Sequence, residues 1–322
     1  MGGEETRVRV LVVGGGLAGL AFASFCSESI VFESRKTLGG FSAHDDLKVG
    51  KVSGMELVSE LSRGINARVG ETVFKVEKNG VWALGESGAR FHTGTPVLAT
   101  GFRERTLVEL GIYGYRPSGV FPLSAAWDFT NMGYLVGQKI LVYGFNHYSL
   151  ALVSKLSRFA EKIIVIYDED SYIHHPDELH EFGVEGIRGR VLYVEGRNRL
   201  EKVKTTAGDF QVDALVISKL APLRIFEADY ATGNASMIIE DPSKIVESSR
   251  LVANMILSKG DTGFVESDLP VTPTVFKLDH PYVMLGVRKG CGFQVNGRNI
   301  VAEESYPVIE LPKAKRVRIK AV

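Results

Sequence analysis

Residues 8–19, VRVLVVGGGLAG, decide the fold of this chain. The apolar run Val8–Val13 is typical of a buried strand, and three consecutive glycines follow it directly. A helical stretch comes next, and then a second apolar strand, Ser29–Phe32, which ends in Glu33. A strand, a glycine-rich turn, a helix and a second strand that ends in an acid form the βαβ unit that binds dinucleotides. The pattern therefore predicts a dinucleotide-binding domain over these residues.

The glycines of the turn have separate physical roles. Gly14 permits the tight turn out of the strand, Gly16 lets the backbone approach a pyrophosphate, and Gly19 lets the helix pack close to the strand. The helix N-terminus offers free N–H groups and the positive end of a dipole. Glu33, 19 residues after Gly14, has only acceptor oxygens and is predicted to hold the hydroxyls of a ribose. Gly40, seven residues further on, is predicted to be a second close approach to a cofactor.

The same plan occurs a second time in the chain. The strand Lys139–Tyr143 is followed by Gly144, a helical stretch and the strand Lys162–Tyr167, which ends in Asp168. Ser149 stands where the first motif has its packing glycine. Gly144, Ser149 and Asp168 are therefore predicted to bind NAD. NADH is favoured over NADPH, because an acid at the ribose repels a 2′-phosphate.

Asn146 makes this second site ambiguous. It replaces the glycine that allows closest approach to pyrophosphate, and it is expected to weaken binding unless its amide donates to a phosphate. The segment Ser218–Pro222 also lacks the glycine expected near the second closing strand. The sequence leaves two alternatives open, a weak NAD(H) site and a Rossmann domain that binds no ligand.

Each βαβ unit is followed by residues that predict a small antiparallel meander and a closing strand. In the first half, apolar strands flank the turn Asn79-Gly80, and residues 96–100 form the closing strand. The second half repeats this arrangement, with a closing strand at 214–218. A helix is predicted within 238–258, and short strands follow from residue 261, one of them over 271–278. The predicted fold class is α/β, with two Rossmann-like three-layer nucleotide-binding domains, each with a small antiparallel meander, and a small C-terminal β appendage.

Composition excludes several classes of function. Among 322 residues, Lys+Arg and Asp+Glu each number 38, which argues against a protein built to coat nucleic acid or an anionic membrane. Two cysteines exclude a disulfide framework, a four-cysteine zinc site and a Cys-ligated iron–sulfur cluster. The apolar run 8–25 is long enough for a membrane span, but its glycine cluster favours a strand and helix. We expect a cytoplasmic protein with no membrane span and no nucleic-acid partner.

A histidine-rich stretch was the candidate for a metal site. Residues 174–180, HHPDELH, offer several ligand types, but their spacing matches no established metal-ligand pattern. The stretch is interpreted as a solvated loop and helix start. No metal is predicted.

Several motifs resemble a known group of flavoproteins. Gly14–Gly19, Glu33 and Gly40 match the FAD motif of the pyridine nucleotide–disulfide oxidoreductase superfamily, and VLATG at 97–101 matches its closing strand. The segments ATGFRER at 99–105, RPSGVF at 116–121 and NMGY at 131–134 resemble one branch of it more closely. That branch holds FAD subunits of dye-linked amino-acid, opine and amine dehydrogenases, together with flavoproteins encoded beside glycerol-3-phosphate dehydrogenases.

The resemblance implies FAD in the first domain. Glu33 would hold the AMP ribose, the backbone of Val73 would meet adenine, and Thr100 and Gly101 would lie close to the cofactor. Asp241 would bond the ribityl chain or the pyrophosphate, although a plain helix cap is its alternative role. The implied domains are an FAD-binding domain over 1–103 and 226–262, an NAD(P)-binding-like domain over 104–225, and a β-rich domain over 263–322.

The implied function is that of a FAD-dependent oxidoreductase. It would pass electrons between NAD(P)H or a partner and an unknown acceptor, which is a small molecule or a protein. Cys26 and Cys291 lie outside both positions where the superfamily carries redox cysteines, so no redox-active disulfide is expected. The alternatives are a FAD-carrying electron-transfer subunit of a heteromeric dehydrogenase and a catalytically inert flavin-binding module. No catalytic side chain is predicted, because a flavin carries the redox chemistry itself.

Overall fold

The computed structural model describes residues 10–115 and 117–322, so Val8, Arg9 and Arg116 of the sequence motifs lie outside the described residues. The chain divides into two compact units. The first holds the described residues up to Phe102 together with Pro222–Val322, and the second is Arg103–Ala221. The α-helices of the described residues are α1 Leu17–Phe25, α2 Gly54–Leu61, α3 Leu123–Asn131, α4 His147–Leu156 and α5 Pro242–Leu257.

The first unit is built on a five-stranded sheet in which every neighbouring pair is parallel. Its strands, in spatial order, are Tyr230–Ala231, Thr95–Leu98, Val10–Val13, Ser29–Glu33 and Ala67–Val69. Val13 pairs with both Phe32 and Leu98, so the carboxyl ends of the three central strands meet at one edge. The glycine turn and Glu33 follow those ends and therefore lie at the same edge.

Two layers cover this sheet. Side chains alternate between the faces of a strand, and Leu11 and Phe32 pack against Val81 and Ala83 of an antiparallel meander. The other face carries α1, because the side chain of Val12 approaches Gly19, and α5 packs on α1. The strands of the meander are Thr72–Glu77, Gly80–Gly85 and Gly88–Thr93. The unit has the three layers that the sequence predicts.

The second unit repeats this architecture. Its parallel sheet holds, in spatial order, Val120–Pro122, Ala214–Ile217, Lys139–Tyr143, Lys162–Tyr167 and Glu185–Arg188. Leu141 and Ile164 pack against Val194 and Val203 of a second meander. That meander contains Val191–Glu195, Lys202–Thr205 and Gly208–Gln211, and Tyr113–Gly114 pairs with its first strand. The α/β class with two Rossmann-like units is confirmed.

The C-terminal residues form two further sheets. The five-stranded sheet has the order Val275–Lys277, Thr262–Ser267, Arg316–Ala321, Gly292–Val295 and Arg298–Val301. The three-stranded sheet has the order Val271–Thr272, Tyr282–Leu285 and Val308–Glu310. The strand predicted over 271–278 is wrong as a single element. It is divided at Pro273, which has no backbone N–H for a ladder, and its two parts lie in different sheets.

This β-rich segment groups with the first unit instead of forming a third unit. Lys244 of α5 forms an ion pair with Glu304, 2.7 Å from Nζ to Oε1. The hydroxyl of Tyr306 accepts a hydrogen bond from the backbone N–H of Glu240 at 3.1 Å. These contacts join the β-rich segment to the N-terminal end of α5.

The remaining short elements complete the first unit. Lys48–Val49 and Val52–Ser53 form a hairpin that leads into α2. Ser53 and Glu56 cap α2 reciprocally, each side chain accepting from the backbone N–H of the other. A 3₁₀ turn covers Gly40–His44. No helix within the described part of the chain combines the length and the apolar character needed to cross a bilayer.

Candidate functional site

The glycine turn of the first unit is fixed by two close backbone contacts. Gly14 has φ +110°, and a Cβ atom on it would lie 2.4 Å from the carbonyl oxygen of Ala99. A Cβ atom on Gly19 would lie 2.0 Å from the carbonyl oxygen of Gly14. Both positions therefore require glycine for the fold itself. Gly16 differs, since no atom lies within 4 Å of the place where its Cβ would stand.

The N-terminus of α1 has no side-chain cap. Gly16 is the N-cap residue, and no side-chain hydrogen bond from the described residues caps the helix there. The first turn of a helix has backbone N–H groups without intrahelical partners, and they lie at the positive end of the helix dipole. An uncapped N-terminus beside open space is suited to a pyrophosphate.

Glu33 is held directly beside this turn. Its side chain is buried, with the residue only 8% exposed. Oε2 accepts from the backbone N–H of Gly15 at 2.7 Å, and Oε1 accepts from that of Arg35 at 2.8 Å. Oε1 also accepts from the hydroxyl of Ser34 at 3.3 Å. A carboxylate oxygen can accept two hydrogen bonds, so Oε2 retains capacity for a ribose hydroxyl. A surface position for Glu33 is excluded.

The other predicted FAD residues of the first unit occupy different environments. Gly40 lies against the turn, because its Cβ would stand 3.3 Å from Cα of Gly16. Val73 is buried in the first strand of the meander. Thr100 donates its hydroxyl to the carbonyl of Leu223. Gly101 has φ +79° and open space around its Cβ position.

Asp241 is a helix cap in this structure. Its Oδ1 accepts from the backbone N–H of Ser243 at 2.8 Å and from that of Lys244 at 3.4 Å. This is the alternative role that the sequence left open.

The second glycine turn has the same backbone geometry as the first. Gly144 has φ +113°, and its Cβ would lie 2.6 Å from the carbonyl oxygen of Ser218. Ser218 directly follows the closing strand, as Ala99 does in the first unit. The two turns are therefore equivalent positions of one repeated plan.

The side chain of Asn146 caps the N-terminus of α4. Its Oδ1 accepts from the backbone N–H of Ser149 at 3.0 Å, and the hydroxyl of Ser149 accepts from the backbone N–H of Asn146. The Nδ2 group of Asn146 donates to the carbonyl of Ser218 at 2.8 Å and to its hydroxyl at 3.1 Å. In this structure the amide group of Asn146 therefore donates to Ser218, although the sequence also allowed it to donate to a phosphate.

Asp168 has cationic neighbours that the sequence did not reveal. Nζ of Lys219 lies 2.8 Å from Oδ1, and Nε of Arg190 lies 3.7 Å from Oδ2. Burial raises the pKa of Asp168, but the hydrogen bond and charge of Lys219 outweigh burial and hold that pKa below its usual value. Burial, followed by the charge of Asp168, raises the pKa of Tyr143 to about 12. The preference for NADH that the sequence predicts from Asp168 stays a prediction, now with two cations beside the acid.

The histidines beside this site form a buried chain. Nδ1 of His147 lies 3.0 Å from Nε2 of His174, and Nδ1 of His174 lies 2.7 Å from a carboxylate oxygen of Glu178. The interpretation of this stretch as solvated is wrong for His174, whose side chain is 7% exposed. It is buried because its ring stacks on that of His147. Among the described residues, no group of three or more His, Cys, Asp or Glu side chains is arranged to hold a metal ion.

The two cysteines do not form a disulfide. Cys26 is buried at the end of α1, and Cys291 is exposed in the C-terminal segment. Trp127 is buried in α3, and Nζ of Lys155 lies 5.0 Å from the centre of its ring.

No protein-family model matches the chain, and no curated protein matches it. Solved structures do resemble it. L-proline dehydrogenase from P. horikoshii is 20% identical with a TM-score of 0.57, and the match covers 78% of this chain and 55% of that one. Thioredoxin reductase from T. acidophilum is 17% identical with a TM-score of 0.58, covering 76% and 95%. A pyridine nucleotide-disulfide family oxidoreductase from Enterococcus faecalis is 12% identical with a TM-score of 0.58, covering 89% and 78%.

These comparisons show the fold. The chain shares its fold with these solved structures and is itself divided into two compact units. It spans little more than half the length of the proline dehydrogenase chain that it matches.

Proposed function

We propose that this chain is a FAD-dependent oxidoreductase that binds FAD in its first unit. The observation that carries the proposal is the pairing of Gly15 with Glu33 beside the uncapped N-terminus of α1. The helix terminus suits a pyrophosphate, and the buried carboxylate suits a ribose. Both are needed together only when the ligand contains an AMP half, which favours FAD over FMN.

The residues at this edge of the sheet fit such a cofactor. Gly14 and Gly19 shape the turn, Gly16 leaves the phosphate path clear, and Gly40 lies against Gly16. The proposed contacts are Glu33 with the AMP ribose, the backbone of Val73 with adenine, Thr100 and Gly101 with the rest of the cofactor, and Asp241 with the ribityl chain or pyrophosphate. FAD supplies the electron transfer when bound, and the chain binds and orients it.

The oxidoreductase class is supported by the solved structures of the same fold. All three are named as oxidoreductases, dehydrogenases or reductases. We further propose that the reaction uses no redox-active disulfide, because Cys26 is buried, Cys291 is exposed and the two are not joined by a disulfide. The electron donor and the electron acceptor are each proposed to be a small molecule or a protein.

A second candidate is an electron-transfer subunit of a heteromeric dehydrogenase. The branch motifs of residues 97–134 and the match to L-proline dehydrogenase favour it, because this chain covers only 55% of that enzyme. A stand-alone enzyme elutes from gel filtration at the mass of its own chain or a multiple of it. A subunit expressed with its neighbouring genes co-elutes with another chain.

The test begins with the flavin that the purified protein carries. Heat-released flavin should migrate as FAD in chromatography and convert to FMN on phosphodiesterase treatment. Recovery of FMN alone, or of no flavin after reconstitution with FAD, overturns the proposal. Reduction of the bound flavin by any donor then distinguishes an oxidoreductase from an inert flavin-binding module.

A further inference from the structure

The internal repeat allows the two nucleotide turns to be compared position by position. In each unit the first glycine of the turn lies against the carbonyl of the residue that follows the closing strand. This shared contact sets the alignment of the rest. The aligned pairs are Gly15 with Phe145, Gly16 with Asn146, Gly19 with Ser149, and Thr100 with Lys219. The strand registers align Glu33 with Tyr167, so Asp168 stands one residue beyond the position of Glu33.

At the phosphate position the two units differ in what is available to a ligand. In the first unit, Gly16 leaves space and adds no cap to α1. In the second unit, Asn146 accepts from the N–H of Ser149, which is one of the donors that a phosphate would use. The side chain is also anchored to Ser218 through Nδ2. The anion-binding end of α4 is therefore capped by the chain itself.

Beside Asp168, the acid predicted to bind a ribose, the second unit holds a cation of its own. Lys219 begins just after the closing strand, and its Cδ lies 3.3 Å from the place of a Cβ on Gly144. Its Nζ ends 2.8 Å from Oδ1 of Asp168 and 2.7 Å from a carboxylate oxygen of Glu169. The other oxygen of Asp168 lies 3.3 Å from the hydroxyl of Tyr143. The side chain of Lys219 thus passes beside Gly144, and its ammonium contacts Asp168, the acid predicted to bind a ribose diol.

Displacing Lys219 carries a cost that a ligand must overcome. The side chain is 6% exposed, so its ammonium depends on Asp168 and Glu169 for compensation. A buried charge that loses its partner is strongly unfavourable. A dinucleotide that took Asp168 for its ribose would compete with the ammonium for one of its two carboxylate partners and leave it with Glu169 alone. It would also meet the side chain of Asn146 on the phosphate path.

We infer that Asn146 and Lys219 close the second dinucleotide site, so that neither NADH nor NADPH binds there. The side chains of Asn146 and Lys219 would thus determine specificity by excluding both dinucleotides from the second unit. The consequence for electron flow rests on the proposed function. If the first unit carries FAD, its electrons come from an organic substrate or a protein partner and not from a nicotinamide dinucleotide held by the second unit.

The experiment measures binding directly and does not require flavin chemistry. The purified full chain is titrated with NAD⁺ and with NADP⁺ by isothermal titration calorimetry, and no saturable heat is expected at millimolar ligand. Saturable binding of either dinucleotide by the parent chain overturns the inference. This measurement needs no variant, so it does not depend on the folding of any mutant.

A double variant tests the two residues named. Asn146→Gly with Lys219→Thr installs the residues of the first unit and should give saturable binding of at least one dinucleotide. Glycine is an acceptable N-cap, so α4 should persist. Lys162→Thr, at an exposed position of the same sheet, is the matched control and should behave as the parent. A folded double variant that still binds neither dinucleotide overturns the assignment to these residues. Flavin content, read separately by absorbance, decides the proposed function independently of these titrations.

Discussion

The backbone N–H of Gly15 donates to Oε2 of Glu33 at 2.7 Å, which joins the glycine turn to the end of the second strand. The two residues are 18 positions apart in sequence, yet the parallel pairing of their strands brings them together. The same carboxylate is fixed on its other oxygen by Arg35. A ribose that arrives at this edge therefore meets an acceptor whose position is already set.

Replacement of Glu33 should weaken FAD binding without loss of the fold. Glu33→Ala is expected to cost about 1.5–3 kcal/mol of FAD affinity, the range for hydrogen bonds to a charged group. That corresponds to a rise in Kd of roughly 10- to 150-fold. Fluorescence titration of the apoprotein with FAD measures it, and the exposed Glu28→Ala serves as control. An unchanged Kd in Glu33→Ala would contradict the assignment.

Two glycines of the same turn should separate binding from stability. Gly16→Ala places a Cβ where no protein atom lies within 4 Å, at an ordinary φ of −72°, so the apoprotein should keep its Tm. The added methyl group stands on the proposed pyrophosphate path and should reduce FAD affinity. Gly19→Ala forces a Cβ to 2.0 Å from the Gly14 carbonyl and should lower stability by about 1–3 kcal/mol or more.

Thermal unfolding of the apoproteins and FAD titration of each variant measure the two effects. Gly292→Ala, in the C-terminal sheet, at an ordinary φ and with no atom closer than 3.6 Å to its Cβ position, controls for the substitution of a glycine as such. If Gly16→Ala bound FAD as the parent does, the open space beside Gly16 would have no role in phosphate binding.

The sequence was sufficient for the parts of the fold that depend on local pattern. Val10–Val13 is a continuous apolar run, and its strand is buried on both faces, as parallel strands are. The glycine turn and the acid at the end of the next strand are also encoded within 20 residues. The closing of the second site is different. Lys219 reaches Asp168 across 51 positions, and a long flexible side chain has no local signal for where its ammonium ends.

The sequence carried no signal for Lys219 itself. The glycine that the segment Ser218–Pro222 lacks corresponds to Gly101, which aligns with Leu220 and not with Lys219. His174 gave no signal either, because its burial depends on His147, 27 positions earlier. Pairings of this kind are set by tertiary packing, and sequence periodicity does not report them.

Neither cysteine should take part in turnover. Cys26 is buried at the end of α1 and Cys291 is exposed, and neither is part of a disulfide. The double variant Cys26→Ala, Cys291→Ala should keep flavin reduction by an active donor within about fivefold of the parent, since neither thiol is placed as a redox partner. Stopped-flow absorbance of the flavin is the measurement. A loss of about a hundredfold or more, with FAD still bound, would assign one thiol a chemical role.

The stability of the second unit should depend on pH through the ion pair of Arg103 with Glu109. Both Nη atoms of Arg103 donate to the carboxylate of Glu109, at 2.9 and 2.7 Å. These bonds, followed by those from Thr106, lower the pKa of Glu109 from 4.5 to about 2. A depressed folded-state pKa stabilises the fold above the unfolded value, and that stabilisation is lost as pH falls from 4.5 through about 2. Arg103→Gln should therefore raise the pKa of Glu109 towards 4.5 and flatten the fall in stability over that window.

Carboxyl ¹³C NMR titration and thermal unfolding against pH measure the two effects. Lys162→Gln is the control for loss of a positive charge, because Lys162 is exposed on a different strand of the same unit. A Glu109 pKa near 4.5 in the parent chain would contradict the paired geometry.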